Sequence, residues 1–310
     1  MDFNDIVNPR IPVGAWVDDA LDWMTENLAA LFDFIQLFLE GFHEALFYGL
    51  GQPPYYVIIV LFAIVAWLAS GWRLALFTVI GFYLIRAFDQ WNNAMNSIAL
   101  VLVAVVLAIV LSVPLGIWAA RSDTVSRVLK PILDLMQTMP ALVYLVPAIT
   151  IFSVGIAPGA IATLIFSMPP GVRLTELGIR GVDKEVVEAG NAFGATKGRI
   201  LRQIQLPLAL PTIMAGINQV IMLALSMVVL AGMAGAEGLG GAVTGALQGL
   251  NVPLGVEAGL AVVIIAIYLD RLSHALGTRS SRIGRKKRRK AEAVATADSS
   301  ETVDPAKVEA

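Results

Sequence analysis

The chain has 310 residues, 57% of them hydrophobic and only 15% charged, with a formal net charge of −2 and a mean hydropathy of +0.74. That leaves too little polar surface to coat a water-soluble globule, and it excludes a large soluble domain beside the apolar helices, each roughly 20 residues for a hydrocarbon core of about 30 Å, that this length supplies. Cysteine is absent, which excludes disulfides, thiolate metal sites and iron–sulfur clusters.

The charge is segregated along the chain. The N-terminal stretch carries Asp2, Asp5, Asp18, Asp19, Asp22, Glu26, Asp33, Glu40 and Glu44 against Arg10 alone, and it lacks the basic start and short apolar core of a cleavable signal peptide. Between these acids Trp16, Trp23, Leu28, Leu31, Phe32, Ile35, Phe38, Leu39 and Phe42 recur at helical spacing, which predicts one amphipathic helix over 16–48. Asp33, Glu40 and Glu44 are costly in lipid, so this helix is expected to lie along the membrane surface, in an extracytoplasmic region spanning residues 1–52. His43, and His274 further on, have no neighbouring ligand spacing and are expected at an interface or a surface rather than on a metal.

Pro53 and Pro54 break the chain and open a transmembrane unit over residues 53–277. Spans are expected over 55–70, 74–85, about 96–120, about 141–154, about 156–172, 208–233 and about 255–272, giving an all-α polytopic membrane protein of about seven transmembrane helices. Pro114, Pro140, Pro147, Pro169 and Pro170 imply kinked or broken helices, which suit core packing and a polar path equally well. A glycine-rich loop over 235–255 contains no Lys or Arg.

Orientation follows from basic residues, because Lys and Arg resist translocation. In the seven-span threading Arg73, then Arg121, Arg127 and Lys130, then Arg173, Arg180, Lys184, Lys197, Arg199 and Arg202 all fall on the cytoplasmic side. The N-terminus and the glycine-rich loop fall outside, with Arg86, beside Asp89, the one misplaced base. Residues 278–310 form a cytoplasmic tail, first basic from Arg279 to Lys290 and then acidic, with a disorder-like composition. The basic run reads as an anchor for the last span before it reads as a nucleic-acid contact.

The polar stretch between the fifth and sixth spans carries the most specific pattern. Asp183 is placed to N-cap a short helix with Glu185 in its first turn; Val186, Ala189, Gly190 and Phe193 share one face by spacing; Gly194 suits its stop. Such a helix either folds against the membrane surface or presents its apolar face to an attached protein.

Glu188-Ala189-Gly190, then Gly194, then Ile204-Gln205-Leu206-Pro207 match in spacing the EAA loop of bacterial ATP-binding-cassette (ABC) importer permeases. The run 205–219, Leu225-Ser226-Met227-Val228-Val229 and Gly235-Ala236-Glu237-Gly238-Leu239-Gly240 extend the likeness, and over about residues 90–272 the chain resembles the glycine betaine/proline betaine permease subfamily. Gly190 departs from the pattern, which usually has a second Ala there, at about 1 kcal/mol in a helix interior.

The resemblance implies a type I ABC importer permease fold in the bacterial plasma membrane. It also implies a second permease copy, partner ABC ATPase subunits that bind ATP and Mg, and an extracytoplasmic substrate-binding protein. Coupling to the ATPase then falls on Glu188, Ala189 and Gly194, with Glu185, Gly190, Phe193, Leu206 and Pro207 completing the set. The chain itself has no Gly-x4-Gly-Lys-Ser/Thr loop, since the run from Gly194 to Gly198 does not match one. No cofactor, catalytic residue or nucleic-acid partner is therefore expected here. The implied cargo is a compatible solute: glycine betaine, proline betaine or a related quaternary amine such as choline or carnitine. A quaternary ammonium favours aromatic faces, so Trp118, Tyr144, Phe152 and Phe166 are candidates for the path, each equally readable as lipid-facing or core. An ion channel or carrier would place ionisable groups in the central spans over 100–111 and 208–233, which hold none, and an embedded enzyme would need a catalytic constellation.

Overall fold

The computed structural model describes residues 12–301, with side chains described through Ala275, so the basic run and tail expected over 278–310 lie outside the described side chains. Among the described residues every element is helical: α1 (Val13–Asn27), α2 (Ala29–Gly51), α3 (Tyr55–Ser70), α4 (Trp72–Ala87), α5 (Trp91–Arg121), α6 (Asp123–Thr138), a 3-10 turn (Ala141–Tyr144), α7 (Leu145–Phe152), α8 (Ile156–Arg180), α9 (Lys184–Ala192), α10 (Lys197–Ile200), a π turn (Leu201–Gln205), α11 (Leu206–Ala231), α12 (Leu239–Gln248) and α13 (Val252–Glu301).

Three helices are long and apolar enough to cross a membrane without a break: Trp91–Arg121, Lys197–Ala234 and Val252–Ala275. Two further pairs qualify when joined, α2 with α3 bent by 99° and α6 with the segment Ala141–Phe152 bent by 110°, which makes up to five. Pro53-Pro54 and Pro140 sit at these bends, where a ring without an N–H and a restricted preceding residue prevent the helix from continuing.

The centre of the bundle is a three-helix contact of α5, α8 and α11. Small residues let the backbones approach: a Cβ on Gly116 would lie 2.5 Å from Thr175 Cβ, one on Gly171 2.4 Å from Ser112 Oγ, and one on Gly216 3.0 Å from Leu174 Cβ. Lipid is as apolar as the side chains, so close van der Waals contact rather than hydrophobic burial holds such helices together. Around this centre α13 packs on α3 and α4 through Phe62, Phe82 and Tyr268, whose ring centroids lie 5.1 to 5.4 Å apart.

The N-terminal region differs from the single surface helix expected over 16–48. The chain breaks at Leu28 into α1, which buries none of its residues, and α2, which packs against α5 and α8. His43 is buried rather than superficial, because α2 turns Leu39 and His43 inward; its ring stacks on Phe47 and its Nε2 lies 3.4 Å from the Asn96 carbonyl. The segment expected as a glycine-rich loop holds a helix, α12. The Ser97 hydroxyl on α5 accepts from Leu239 N at 2.8 Å and caps it, and Gly240 approaches α11 so closely that a Cβ would lie 2.6 Å from the Val228 carbonyl. Arg86 is paired, 3.2 Å from Asp89 Oδ1 and over the Tyr55 ring. The fourth expected span is the bent segment after α6, and the fifth runs eight residues further, to Arg180.

Filling the contact between α5 and α8 should cost stability while filling open space should not. Gly171→Val is expected to lower the melting transition of the detergent-purified chain by an equivalent of about 1–3 kcal/mol. Gly245→Ala, where a Cβ meets nothing within 4 Å, is expected to leave it equal or slightly raised. Differential scanning fluorimetry of the two variants beside the parent checks both.

Candidate coupling and translocation site

Helix α8 ends at Arg180, and after three connecting residues α9 begins at Lys184. The Asp183 carboxylate accepts from Glu185 N at 3.0 Å, satisfying one of the free amides of the new helix, and Glu185 adds a negative charge to the same end. The helix stops at Gly194, whose φ of +74° is left-handed backbone that a side chain disfavours. There Gly194 N donates to the Asn191 carbonyl at 2.9 Å and Ala195 N to the Gly190 carbonyl at 3.1 Å, the paired bonds of a Schellman stop.

Beyond Gly194 the chain re-enters the bundle. The Thr196 hydroxyl caps α10, and the helix then widens into the π turn, with Leu206 N returning to the Leu201 carbonyl. A π turn just ahead of Pro207 is understandable, because a proline in an α-helix would collide with the carbonyl four residues back. Leu206 packs with Val182, Leu201, Ala209 and Ile213, while Pro207 is exposed.

Packing against this turn fixes the faces of α9. Val187 packs on that same apolar cluster and Gly190 is buried against Ile200 and Ile204. A Cβ on Gly190 would lie 2.8 Å from Ile204 Cδ1, so the glycine allows the helix to sit close to the π turn. Val186, Ala189 and Phe193 face outward with Glu185 and Glu188, and Phe193 is 92% exposed. Of the four residues expected on one face, Gly190 therefore turns inward, because α9 is seated through Val187 and Gly190 rather than lying free. On one flank is a cavity of about 310 Å³ lined by Arg180, Lys184, Val187, Glu188 and Gln205; on the other a groove of about 720 Å³ is lined by Leu177, Asp183, Val186, Leu208 and Thr212.

The four aromatic candidates are not brought together. Tyr144 and Phe166 meet edge-to-face with centroids 6.0 Å apart, beside Ala162 and Met227. The Tyr144 hydroxyl donates to the Met136 carbonyl on α6. Phe152 is buried against Phe32 of α2, and Trp118 is 59% exposed on α5. Helical periodicity could not separate these cases, since it gives no account of which face α2 covers.

Sequence reasoning also missed α6 and its ion pairs with α8. The signal was present: Ser122 before Asp123 as a cap, then Val125, Ser126, Leu129, Leu133 and Met136 at three- and four-residue spacing, which is the inward face. The Arg180 guanidinium beside Asp123 holds that carboxyl below its ordinary range, with smaller contributions from Arg127 and Lys130. Among the described residues no group of three or more His, Asp or Glu is placed to hold a metal ion.

The sequence profile described as "binding-protein-dependent transport system inner membrane component" matches residues 112–282. The glycine betaine transport system permease protein OpuAB of Bacillus subtilis (strain 168) is 50% identical over 265 residues, covering 86% of this chain and 94% of that one. The glycine betaine/proline betaine transport system permease protein ProW of Escherichia coli (strain K12) is 43% identical over 281 residues, covering 89% and 78%. The glycine betaine/carnitine transport permease protein GbuB of Listeria monocytogenes is 45% identical over 276 residues, covering 88% and 98%. An inward-facing structure of the MetNI methionine ABC transporter superposes with a TM-score of 0.54 at 21% identity, covering 63% of this chain and 95% of that one, which shows a shared type I importer permease fold. With these apolar spans, this profile and these relatives, the chain belongs to the binding-protein-dependent transport system inner membrane component family, in its glycine betaine permease group.

Proposed function

We propose that this permease carries a compatible solute, glycine betaine, proline betaine or a related quaternary amine such as choline or carnitine, across the bacterial plasma membrane by alternating access. The 50% identity to the Bacillus subtilis glycine betaine permease over 86% of the chain is the observation that carries this reading. The chain acts in a complex of two permease copies, with partner ATPase subunits that bind ATP and Mg and with an extracytoplasmic substrate-binding protein. Its N-terminus lies outside and its tail in the cytoplasm.

Helix α9 is the docking element for the ATPase. It is held to the bundle on one side only, and its outward face combines an apolar knob, Val186, Ala189 and Phe193, with the acids Glu185 and Glu188. Fully burying a Phe side chain is worth about 1.5–3 kcal/mol, so a Phe left in water beside two carboxylates suits an apolar groove with a basic rim. Glu188 and Ala189 make the contact, Gly190 seats the helix, Gly194 ends it, and Leu206 and Pro207 carry its displacement into α11. Tyr144 and Phe166, the two aromatics that touch, are the better candidates for the solute path.

In vesicles holding the complete complex, Glu188→Lys is expected to lower solute uptake about tenfold or more while ATP hydrolysis continues, because a like charge now faces the basic rim. Unchanged uptake would count against α9 as the docking element. A panel of labelled glycine betaine, proline betaine, choline, carnitine and proline with the parent complex is expected to show uptake of one or more quaternary amines and none of proline; accumulation of proline alone would replace the assigned cargo. Deleting residues 291–310 is expected to leave assembly and uptake within about twofold, given their polar, low-hydrophobicity composition. Loss of the complex on size-exclusion chromatography would show that the tail is needed.

A further inference from the structure

The last two turns of α8 fasten it to α6 through charge. Glu176 lies one turn before Arg180, its carboxylate Oε1 2.9 Å from Arg180 Nε, and its side chain is only 9% exposed. The same oxygen accepts from the Ser126 hydroxyl of α6 at 2.6 Å. Arg180 uses its other nitrogens outward: Nη1 donates to Asp123 Oδ1 at 2.7 Å, at the start of α6, and Nη2 to the Ala119 carbonyl at 2.8 Å, in the last turn of α5. A second pair, Arg173 with Asp134, ties the far part of α6 to α8.

These bonds are unequal. Asp123 and Asp134 are mostly in water, where an ion pair contributes little. Glu176 is enclosed, and an enclosed carboxylate is stable only with its partners in place, so Glu176, Ser126 and the Arg180 guanidinium form the part of the array that resists separation.

The array stands between the two halves of the candidate site. On one side, Gly181-Val182-Asp183 is all that separates Arg180 from α9, and it has little slack: Gly181 N donates to the Leu177 carbonyl at 2.8 Å, and three residues fully extended reach only about 10 Å. A displacement of α9 therefore pulls the last turn of α8. On the other side, α6 leads through Pro140 to Tyr144, whose hydroxyl returns to the Met136 carbonyl of α6 and whose ring meets Phe166.

We propose that Glu176 and Arg180 are positioning residues that make α6, and with it Tyr144, follow the end of α8 when α9 is displaced. The buried carboxylate and its guanidinium turn α9, the end of α8 and α6 into one moving body. This rests on α9 as the docking element.

The native chain has no cysteine, so Val128→Cys on α6 and Asn191→Cys on α9, both exposed, can be spin-labelled on the purified permease, which is then diluted with unlabelled permease before the complex is assembled, so that one labelled copy is read. In the complete complex the label-to-label distance is expected to be the same in the nucleotide-free and ATP-trapped states, and to broaden or shift in Glu176→Ala. A parent distance that changes between the two states, or a Glu176→Ala distribution identical to the parent, overturns the clamp. Uptake per ATP is expected to fall about tenfold in Glu176→Ala and Arg180→Lys and about twofold to threefold in Glu176→Gln, which keeps the shape and most hydrogen bonds, with hydrolysis within about twofold of the parent. Equal uptake per ATP in all three overturns the proposal. Should Glu176→Ala not assemble, the milder Glu176→Gln and Arg180→Lys carry the same measurements. The distance reads the clamp whether or not α9 receives the stroke, whereas Glu188→Lys reads the docking role alone, so the two failures are separable.

Discussion

The bundle depends on how closely α5, α8 and α11 approach one another. A water-soluble core gains stability by removing apolar area from water, but in lipid that gain was already made when each helix entered the membrane. What remains is contact at short range, and glycines at 116, 171 and 216 make it possible. The hydroxyls of Ser112 and Thr175, buried there without a partner, are part of the same constraint: a larger or charged side chain would push the backbones apart. The short helix α9 is tied to this centre at both ends, since the chain leaves α8 to form it and returns into α11.

Prolines act against regularity, and the fold places some of them at bends and turns and others inside helices. Pro53, Pro54 and Pro140 lie at bends, and Pro207 follows a turn already widened to the π pattern. Pro114, Pro131, Pro169, Pro170 and Pro211 stay inside helices, so five positions lack an N–H to donate. Pro114 on α5 and Pro169-Pro170 on α8 flank the Ser112–Gly171 approach, so stretches of both helices that lack proline N–H donors lie side by side.

Residues whose environment is set by their own helix were legible in the sequence. Asp183 and Gly194 are defined by bonds to residues within a few positions, and the first span, 55–70, coincides with α3. Residues whose environment is set by a distant helix were not. His43 is buried because α5 covers it, α12 starts where the Ser97 hydroxyl of α5 accepts from Leu239 N, and Gly190 faces inward because Ile204 lies beneath it. The array of Glu176, Ser126 and Arg180 falls in the same class, since its closure depends on residues fifty positions apart. Acids and bases near the end of an apolar helix read in sequence as a boundary with water, and only the packing of α6 makes one of them an enclosed partner.

That distinction decides which part of α9 is adaptable. Its inward side, Val187 and Gly190, answers to the π turn and the apolar cluster beneath, so a change there is felt by the bundle itself. Its outward side makes no such contact, and Phe193 there has open water on nearly all sides. A single apolar ring in water is common on protein surfaces and costs the fold little, so Phe193 is free to vary without disturbing the bundle. Asp183 at its start and the paired bonds at Gly194 define both ends of the helix, whichever residues its outer face carries. The inward side of α9 is thus fixed by the bundle, whereas the residues of its outward side are exposed.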